Sequence, residues 1–161
     1  MKRISWVIIF LGAVGALALV FWLFSGAFGP LKQSDMSQPR VYAYRDWQSV
    51  GIQVHSWDTL YIRAEGTWLY TPGEYHGPEG HRTYLSPDTY PINAVPGGVL
   101  IGRFGKDGEP FYVGRGGTFV ADREGFLYLR INDDILSDNE GYVTVEVEVT
   151  PAEESSTLEE Y

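Results

Sequence analysis

The chain has 161 residues, a formal net charge of -9 at neutral pH and no cysteine. This length allows one domain of ordinary size, because a second core would lack apolar surface to bury. The absence of cysteine excludes disulfide bonds, thiolate metal sites and a catalytic thiol. Because affinity for nucleic acid depends on clustered Lys and Arg, the acidic balance argues against a nucleic-acid partner. A cation is a more natural ligand.

The first predicted element is the apolar segment 4–28, which contains no charged residue. A transmembrane helix needs about 20 such residues, so the segment is long enough to cross a bilayer. Lys2 and Arg3 precede it and predict a cytoplasmic N-terminus in a bacterial inner membrane, with the remainder facing the periplasm or exterior. The alternative is a cleaved secretory signal, whose apolar region is usually shorter, about 7 to 15 residues. Small residues that would let another membrane helix pack closely lie at Gly12, Gly15 and Ala16.

The composition predicts where the domain begins and ends. Residues 1–29 are interpreted as the membrane anchor, and residues 30–43, which are polar and contain two prolines, as a linker. Residues 44–150 form the predicted domain. Pro151 stops the last strand, and residues 151–161 are interpreted as a solvated acidic tail.

Short runs of β-branched and aromatic residues between Gly, Pro and Asp predict an all-β domain of about seven to eight strands. The first two strands, 50–54 and 60–64, are predicted to pair as a hairpin around Trp57 and Asp58. Further strands are predicted at 98–103, 111–113, 118–121, 126–131 and 142–149. In the last strand valines alternate with polar residues, so one face should pack and the other should meet water. This number of short strands favours a β-sandwich.

Two long segments between these strands, 70–97 and 132–140, are the expected places for a binding site. The second contains three carboxylates and two amides within residues 132–139. So many negative charges need either solvent or a cation, and calcium prefers carboxylate and carbonyl oxygens as ligands. An ordinary turn rich in Asp and Asn is the alternative, because these side chains also stabilise turns without a metal.

Short motifs in a fixed order identify a resemblance: AEGTWLY at 64–70, HGPEG at 76–80, GVLIGRFG at 98–105, LRIND at 129–133 and DNEG at 138–141. They resemble the PA-IL family of calcium-dependent bacterial galactose lectins, especially domains of this type within larger secreted or anchored proteins. The resemblance covers roughly residues 47–149. It implies a jelly-roll-like β-sandwich in which one calcium ion at the tip bridges the protein to two hydroxyl groups of a sugar.

The resemblance also implies a set of calcium ligands. Side-chain oxygens would come from Asp133, Asp138 and Asn139, and backbone carbonyls from Tyr70 and Leu136. Because the loop is slightly shorter than in the family, Ile135 is an alternative to Leu136. Asp138 stands where the family has an asparagine, which keeps an oxygen ligand and adds a charge. Asp134 is either a further ligand or a solvated neighbour.

The residues expected to recognise the sugar differ from those of the family. The histidine and glutamine with which the family recognises galactose fall in residues 84–88, where this chain has YLSPD. A preference for galactose is therefore unsupported. Aromatic rings and polar groups still suit a pyranose ring. The candidate sugar-binding residues are Tyr75, His76, Tyr84 and Asp88, and Tyr90 is a further aromatic residue in the same segment.

Sequence patterns typical of enzymes are missing: the chain has no Gly-x-Ser-x-Gly elbow, phosphate-binding loop or His-Glu-x-x-His motif. We therefore expect a protein without catalytic activity. The first hypothesis is a membrane-anchored, extracytoplasmic module that binds carbohydrate through calcium. The alternative is an accessory subunit of a larger integral-membrane complex, such as a respiratory or photosynthetic one, in which calcium only stabilises the fold.

Overall fold

A computed structural model describes residues 38–152. These residues form nine strands and one short 3-10 helix: β1 (Arg40–Tyr42), β2 (Gln48–Val54), β3 (Thr59–Thr71), β4 (Glu74–His76), β5 (Leu100–Phe104), β6 (Phe111–Tyr112), β7 (Gly116–Val120), β8 (Gly125–Ile131), the 3-10 helix Leu136–Asp138, and β9 (Glu140–Thr150). No helix within residues 38–152 is long and apolar enough to cross a membrane. The predicted anchor with Gly12, Gly15 and Ala16, and the tail beyond residue 152, lie outside the described residues.

Two antiparallel sheets enclose one hydrophobic core, which confirms the predicted β-sandwich. The first sheet has the order β1-β9-β3-β4, with β7 also pairing with β3, and the second has the order β2-β8-β5-β6. The described residues contain nine strands, where about seven to eight were predicted. The unpredicted ones, β1 and β4, have three residues each and are too short to show a clear alternation.

The longest pairing in the fold joins β3 and β9, from Thr59 opposite Thr150 to Leu69 opposite Glu140. Val143 and Val145 are completely buried, and Val147 and Val149 pack at the margin of the core. The alternation predicted for the last strand is confirmed.

The predicted hairpin between the first two strands is wrong. β2 pairs with β8 in the second sheet, whereas β3 belongs to the first sheet, so the turn 55–58 carries the chain from one sheet to the other. Buried Asp58 holds this turn, because its carboxylate accepts hydrogen bonds from the backbone N–H groups of His55 at 2.8 Å and Ala152 at 3.2 Å. Alternating polarity reveals a strand, but it does not identify the strand's partner.

The sandwich begins earlier than predicted. Arg40–Tyr42 pairs with β9 as an edge strand, and Val41 and Ala43 are completely buried. Residues 40–43, which were assigned to the linker, therefore belong to the domain. This strand was not predicted, because polar residues and prolines precede it and only every second side chain reaches the core.

The two segments that were expected to form a binding site lie at one end of the sandwich. β3 and β8 end there, and β5 and β9 begin there, because Leu69 lies opposite Glu140 and Leu100 lies opposite Ile131. The side chain of Asn132 ties segment 77–99 to this end. Its Oδ1 accepts a hydrogen bond from Ile92 N at 3.0 Å, and its Nδ2 donates to Ile92 O at 2.8 Å.

Candidate functional site

A cavity of about 470 Å³ opens at this end of the sandwich. Its lining comes from the end of β3, from segment 77–99 and from loop 132–139. The lining residues are Tyr70, Thr71, His81, Thr83, Tyr84, Tyr90, Asp133, Asp134, Ile135 and Asp138. The cavity therefore combines aromatic rings and hydroxyl groups with three carboxylates. We call it the carboxylate cavity.

Asp133 and Asn139 form the buried base of this loop. Asn139 Nδ2 donates hydrogen bonds to Asp133 Oδ2 at 2.7 Å and to the Ile135 carbonyl at 3.3 Å. Its Oδ1 is buried and has no hydrogen-bond partner among residues 38–152. A buried amide oxygen is costly unless a donor or a cation satisfies its lone pairs. The site therefore contains an oxygen that suits a hard cation.

A hydrogen bond between two phenols lies beside the acidic part of the carboxylate cavity. The hydroxyl oxygens of Tyr70 and Tyr90 are 2.9 Å apart, and either can be the donor. Tyr90 also interacts with Asp133, which lowers the pKa of the Asp133 carboxyl group. Burial raises the pKa of both phenols, so both are protonated at neutral pH.

Burial raises the pKa of the Asp133 carboxyl group above its usual value, although hydrogen bonds from Asn139 and Tyr90 oppose this shift. An ionised carboxylate in this position is destabilised by the loss of solvent. A bound cation would compensate for that loss. The electrostatics of Asp133 thus favour the same ligand as the buried oxygen of Asn139.

Strand register brings Tyr70 to the loop. Leu69 pairs with Glu140, so the next residues beyond this last pair are Tyr70, in β3, and Asn139, which directly precedes β9. The register between β3 and β4 shifts between Leu69 and Thr71, so the backbone at Tyr70 leaves the regular ladder. Because such irregularities leave backbone groups unpaired, they often lie next to functional sites.

The remaining predicted calcium ligands lie in the same loop. Leu136 opens the 3-10 helix, and its carbonyl accepts a hydrogen bond from Asn139 N at 3.4 Å. Asp138 closes that helix and lines the carboxylate cavity. Asp134 also lines the cavity and accepts a hydrogen bond from the Thr89 hydroxyl at 2.9 Å. The structure thus collects all the predicted ligands at one end of the sandwich.

The structure separates the predicted sugar-binding residues. Tyr84 lines the carboxylate cavity and is partly exposed. Tyr75 and His76 instead line a neighbouring depression of about 340 Å³. Asp88 is not among the residues that line the carboxylate cavity, and its carboxylate accepts a hydrogen bond from Asn93 at 2.7 Å.

Three lining residues were missed from the sequence, namely Thr71, His81 and Thr83. Thr71 is the last residue of β3, whereas His81 and Thr83 belong to no motif and reach the cavity only because segment 77–99 folds onto the end of β3. Their position depends on bonds over long sequence separations, such as that between Ile92 and Asn132. No local pattern could have identified them.

Glu74, His76 and His81 form a further cluster beside the cavity. Glu74 Oε2 lies 3.6 Å from His76 Nε2 and 3.8 Å from His81 Nε2. His81 Nδ1, however, accepts hydrogen bonds from the backbone N–H groups of Thr83 and Tyr84 at 3.2 and 3.0 Å. Neutral His81 therefore carries its proton on Nε2, facing Glu74, where a metal ion would need a free lone pair. His81 holds the 81–84 turn in place through these two bonds.

No family model matches this sequence, and no curated protein matches it. Among solved structures, the chain is similar to one described as the N-terminal domain of EclA, a PllA-like lectin. The match covers 71% of this chain and 97% of that chain, with a TM-score of 0.55 and 21% sequence identity. At this level of identity, the likeness shows a shared fold.

Proposed function

We propose that this protein is a non-catalytic, lectin-like module that binds carbohydrate through a calcium ion and is held at a membrane by residues 4–28. The observation that carries the proposal is the buried Oδ1 of Asn139, which has no partner in the described part of the chain and lies beside the buried carboxylate of Asp133. The structural similarity to a PllA-like lectin supports the same function. The jelly-roll-like arrangement implied by the resemblance is part of this proposal.

The donor set of the loop fits calcium. Asp133, Asp138 and Asn139 would supply side-chain oxygens, and Tyr70 and Leu136 would supply backbone carbonyls. All of these are hard oxygen ligands of the kind that calcium prefers. When bound, the ion would offer coordination positions to neighbouring hydroxyl groups of a sugar.

The other residues of the carboxylate cavity would orient the sugar. Tyr84 offers an aromatic face, and Thr83 offers a hydroxyl group that can donate and accept. The Tyr70 and Tyr90 phenols form a hydrogen bond with each other beside Asp133, and Asn139 donates a hydrogen bond to the Asp133 carboxylate. With no counterpart of the family's histidine and glutamine at residues 84–88, we propose pyranose recognition without assigning the sugar.

The location of the protein is proposed from its sequence. The uncharged segment 4–28 would anchor the chain in a bacterial inner membrane, and Lys2 and Arg3 would keep its N-terminus in the cytoplasm. The sandwich would then lie in the periplasm or outside the cell, where glycans are accessible.

Thermal melting of the full-length protein with and without calcium tests the metal site. Calcium should raise the melting temperature of the wild type, because a ligand that binds only the folded state stabilises it. Asp133→Ala and Asp138→Ala should remove this increase, whereas Asp122→Ala, a carboxylate paired with Arg123 outside the cavity, should retain it. Identical melting in calcium and in EDTA would reject the calcium site.

An accessory subunit of an integral-membrane complex is the second candidate, and a surface cluster favours it. The cluster lies along the edge strand β1 and its neighbour β9. Arg40 lies over the Tyr142 ring at 4.6 Å, and Arg45 lies over the Tyr42 ring at 4.8 Å. Tyr44 is also exposed and lies 5.5 Å from Tyr42 between ring centroids. Tyr and Arg are enriched where proteins bind other proteins.

A stable partner that co-purifies in mild detergent would support this second function. Tyr44→Ser together with Tyr142→Ser should then release the partner, whereas Tyr61→Ser, which alters an exposed tyrosine on another strand, should not. Purification of the wild type without a stoichiometric partner would argue against an accessory subunit.

A further inference from the structure

Arg130 lies near the end of β8, two residues before loop 132–139, and among residues 38–152 it is the one buried cationic residue. Its Nη2 donates a hydrogen bond to the carbonyl of Asp133 at 2.7 Å, and its Nε donates to the carbonyl of Ile131 at 3.0 Å. The guanidinium thus binds the backbone on both sides of Asn132. Because its donors are fixed in one plane, these two bonds restrict the direction of the backbone as well as its position.

Two residues that follow β1, Asp46 and Trp47, also contact the guanidinium of Arg130. Arg130 forms an ion pair with Asp46, and its Cζ lies 5.5 Å from the centroid of the Trp47 ring. The Asp46 side chain is 70% exposed, so it can face water while pairing with a buried partner. This ion pair also balances the charge of Arg130 close to a loop rich in carboxylates, where an unpaired buried charge would be costly.

Asn132, between the two carbonyls that Arg130 binds, is fixed by separate contacts. Its N–H donates to Val99 O at 2.8 Å, and its carbonyl accepts from Gly98 N at 2.9 Å. Its side chain also bonds both backbone groups of Ile92. Hydrogen bonds from the protein itself therefore hold the backbone of residues 131–133 from several directions, and this reduces the ordering that ion binding would require.

We propose that Arg130 is a positioning residue for the calcium site, which sets the backbone of residues 131–133 so that Asp133 is directed into the carboxylate cavity before calcium binds. This inference rests on the proposed function, because it assigns a task within the same loop. A cation next to a calcium site would on charge alone weaken the binding of the ion. Its presence is explained by geometry, with Asp46 reducing the electrostatic cost.

Calorimetric titration of the full-length protein, purified in mild detergent, with calcium chloride tests this role. Arg130→Lys keeps the charge but loses the planar pair of donors, and we expect calcium affinity to fall by about tenfold, as for other residues that orient metal ligands. Arg103→Lys is the matched control. Arg103 stacks on the same Trp47 ring at 4.3 Å, but its Nε has no hydrogen-bond partner among the described residues. Its substitution should leave calcium affinity unchanged.

Asp46→Asn gives a second test if Arg130→Lys fails to fold. It alters an exposed side chain and leaves the bonds from Arg130 to Ile131 and Asp133 available, so the domain should fold. Calcium affinity should fall by about two- to fivefold, the scale of an exposed ion pair, because the guanidinium loses its counter-charge and outer support.

The outcomes separate the positioning role from the calcium site itself. If wild-type protein binds no calcium, the proposed metal site fails and the role of Arg130 fails with it. If wild type binds calcium and folded Arg130→Lys binds it equally well, a lower melting temperature would show that Arg130 only stabilises the fold. Unchanged affinity in Asp46→Asn, where Arg130→Lys does not fold, would likewise overturn the positioning role.

Discussion

Asn139, just before β9, donates a hydrogen bond from Nδ2 to Oδ2 of Asp133, just after β8, over 2.7 Å. The contact joins the two ends of loop 132–139 across the end of the sandwich. It also directs the Asn139 oxygen away from Asp133, where that oxygen is buried without a partner among the described residues. The amide nitrogen of Asn139 therefore closes the loop, and its amide oxygen is the group that a ligand could still satisfy.

Asp133→Asn should stabilise the calcium-free domain at neutral pH. It removes a carboxylate whose pKa is raised by burial, and its amide can donate to Asn139 after that side chain turns over. We expect the melting temperature in EDTA to rise by about 2–5 °C and the calcium-dependent increase to disappear. A calcium-free variant that melts well below the wild type would contradict this account of Asp133.

The raised pKa of Asp133 also sets the sign of a pH effect. Between its unfolded value near 3.8 and its higher folded value, the folded state binds more protons than the unfolded state. This group therefore makes calcium-free protein less stable as pH rises through that interval. In EDTA, the unfolding free energy of the wild type should therefore decrease relative to that of Asp133→Asn as pH rises. A difference that is constant from pH 4 to pH 7 would exclude the effect.

Asp58 should show the opposite pH dependence at the other end of the sandwich. Its pKa is lowered from 3.8, chiefly by the hydrogen bond from the His55 backbone. Its contribution to stability is therefore present above pH 3.8 and is lost as pH falls through the folded pKa. Asp58→Asn should lower stability by about 1–2 kcal/mol at pH 7. Urea titrations should show this deficit shrinking below pH 4, and an equal deficit at pH 7 and pH 3 would disprove the assignment.

Gly98 tests whether the Tyr70 ring is held where the site needs it. A Cβ at this position would lie 2.5 Å from Tyr70 Cγ, and the backbone φ is +71°. Gly98→Ala should reduce the free energy of unfolding by about 2–4 kcal/mol, from the left-handed backbone and the overlap together. Gly51→Ala is the matched control, with a φ of +78° and nothing within 4 Å of its Cβ. Urea denaturation should show a loss of only about 1 kcal/mol for that control. Equal losses in both variants would show that the Tyr70 ring is free to move.

The anchor predicts where the full-length protein is found in a cell. Because segment 4–28 is uncharged and long enough to span, the intact chain should sediment with membranes and resist extraction by high salt. Ile9→Lys together with Leu17→Lys should release it, since charges at the centre of a span are unfavourable. Recovery of wild-type protein in the soluble fraction, with a mass lacking the first residues, would instead indicate a cleaved signal.

The sequence predicted the features that have a local cause. The alternation of valines in 142–149 predicted the buried face of β9, and the concentration of Asp and Asn predicted the polar loop at 132–139. Pairing across the sheets could not be read in the same way. The turn around Asp58 was interpreted as a hairpin. The bonds that place it between the two sheets, from Ala152 to Asp58 and from Trp57 to Ala121, join residues far apart in sequence and leave no local pattern.

The same limit applies within the site. The carboxylates were found because they lie close together in the sequence, whereas His81 and Thr83 reach the cavity only after segment 77–99 has folded against Asn132. Trp57 shows the converse, because tryptophan is a residue type that is highly buried on average, yet this side chain is 71% exposed. The composition of the loop predicts the kind of ligand, whereas hydrogen bonds between distant residues determine which side chains line the cavity.

Binding of the full-length protein, in mild detergent, to an array of immobilised glycans with calcium or with EDTA tests the central claim most directly. The account predicts that at least one pyranose-containing glycan binds in calcium, that EDTA abolishes binding, and that Asp133→Ala and Asn139→Ala fail to bind while remaining folded. Arg103→Lys should bind as the wild type does. An array that stays silent with folded, calcium-loaded wild type, or glycan binding that persists in EDTA, would contradict a calcium-dependent lectin.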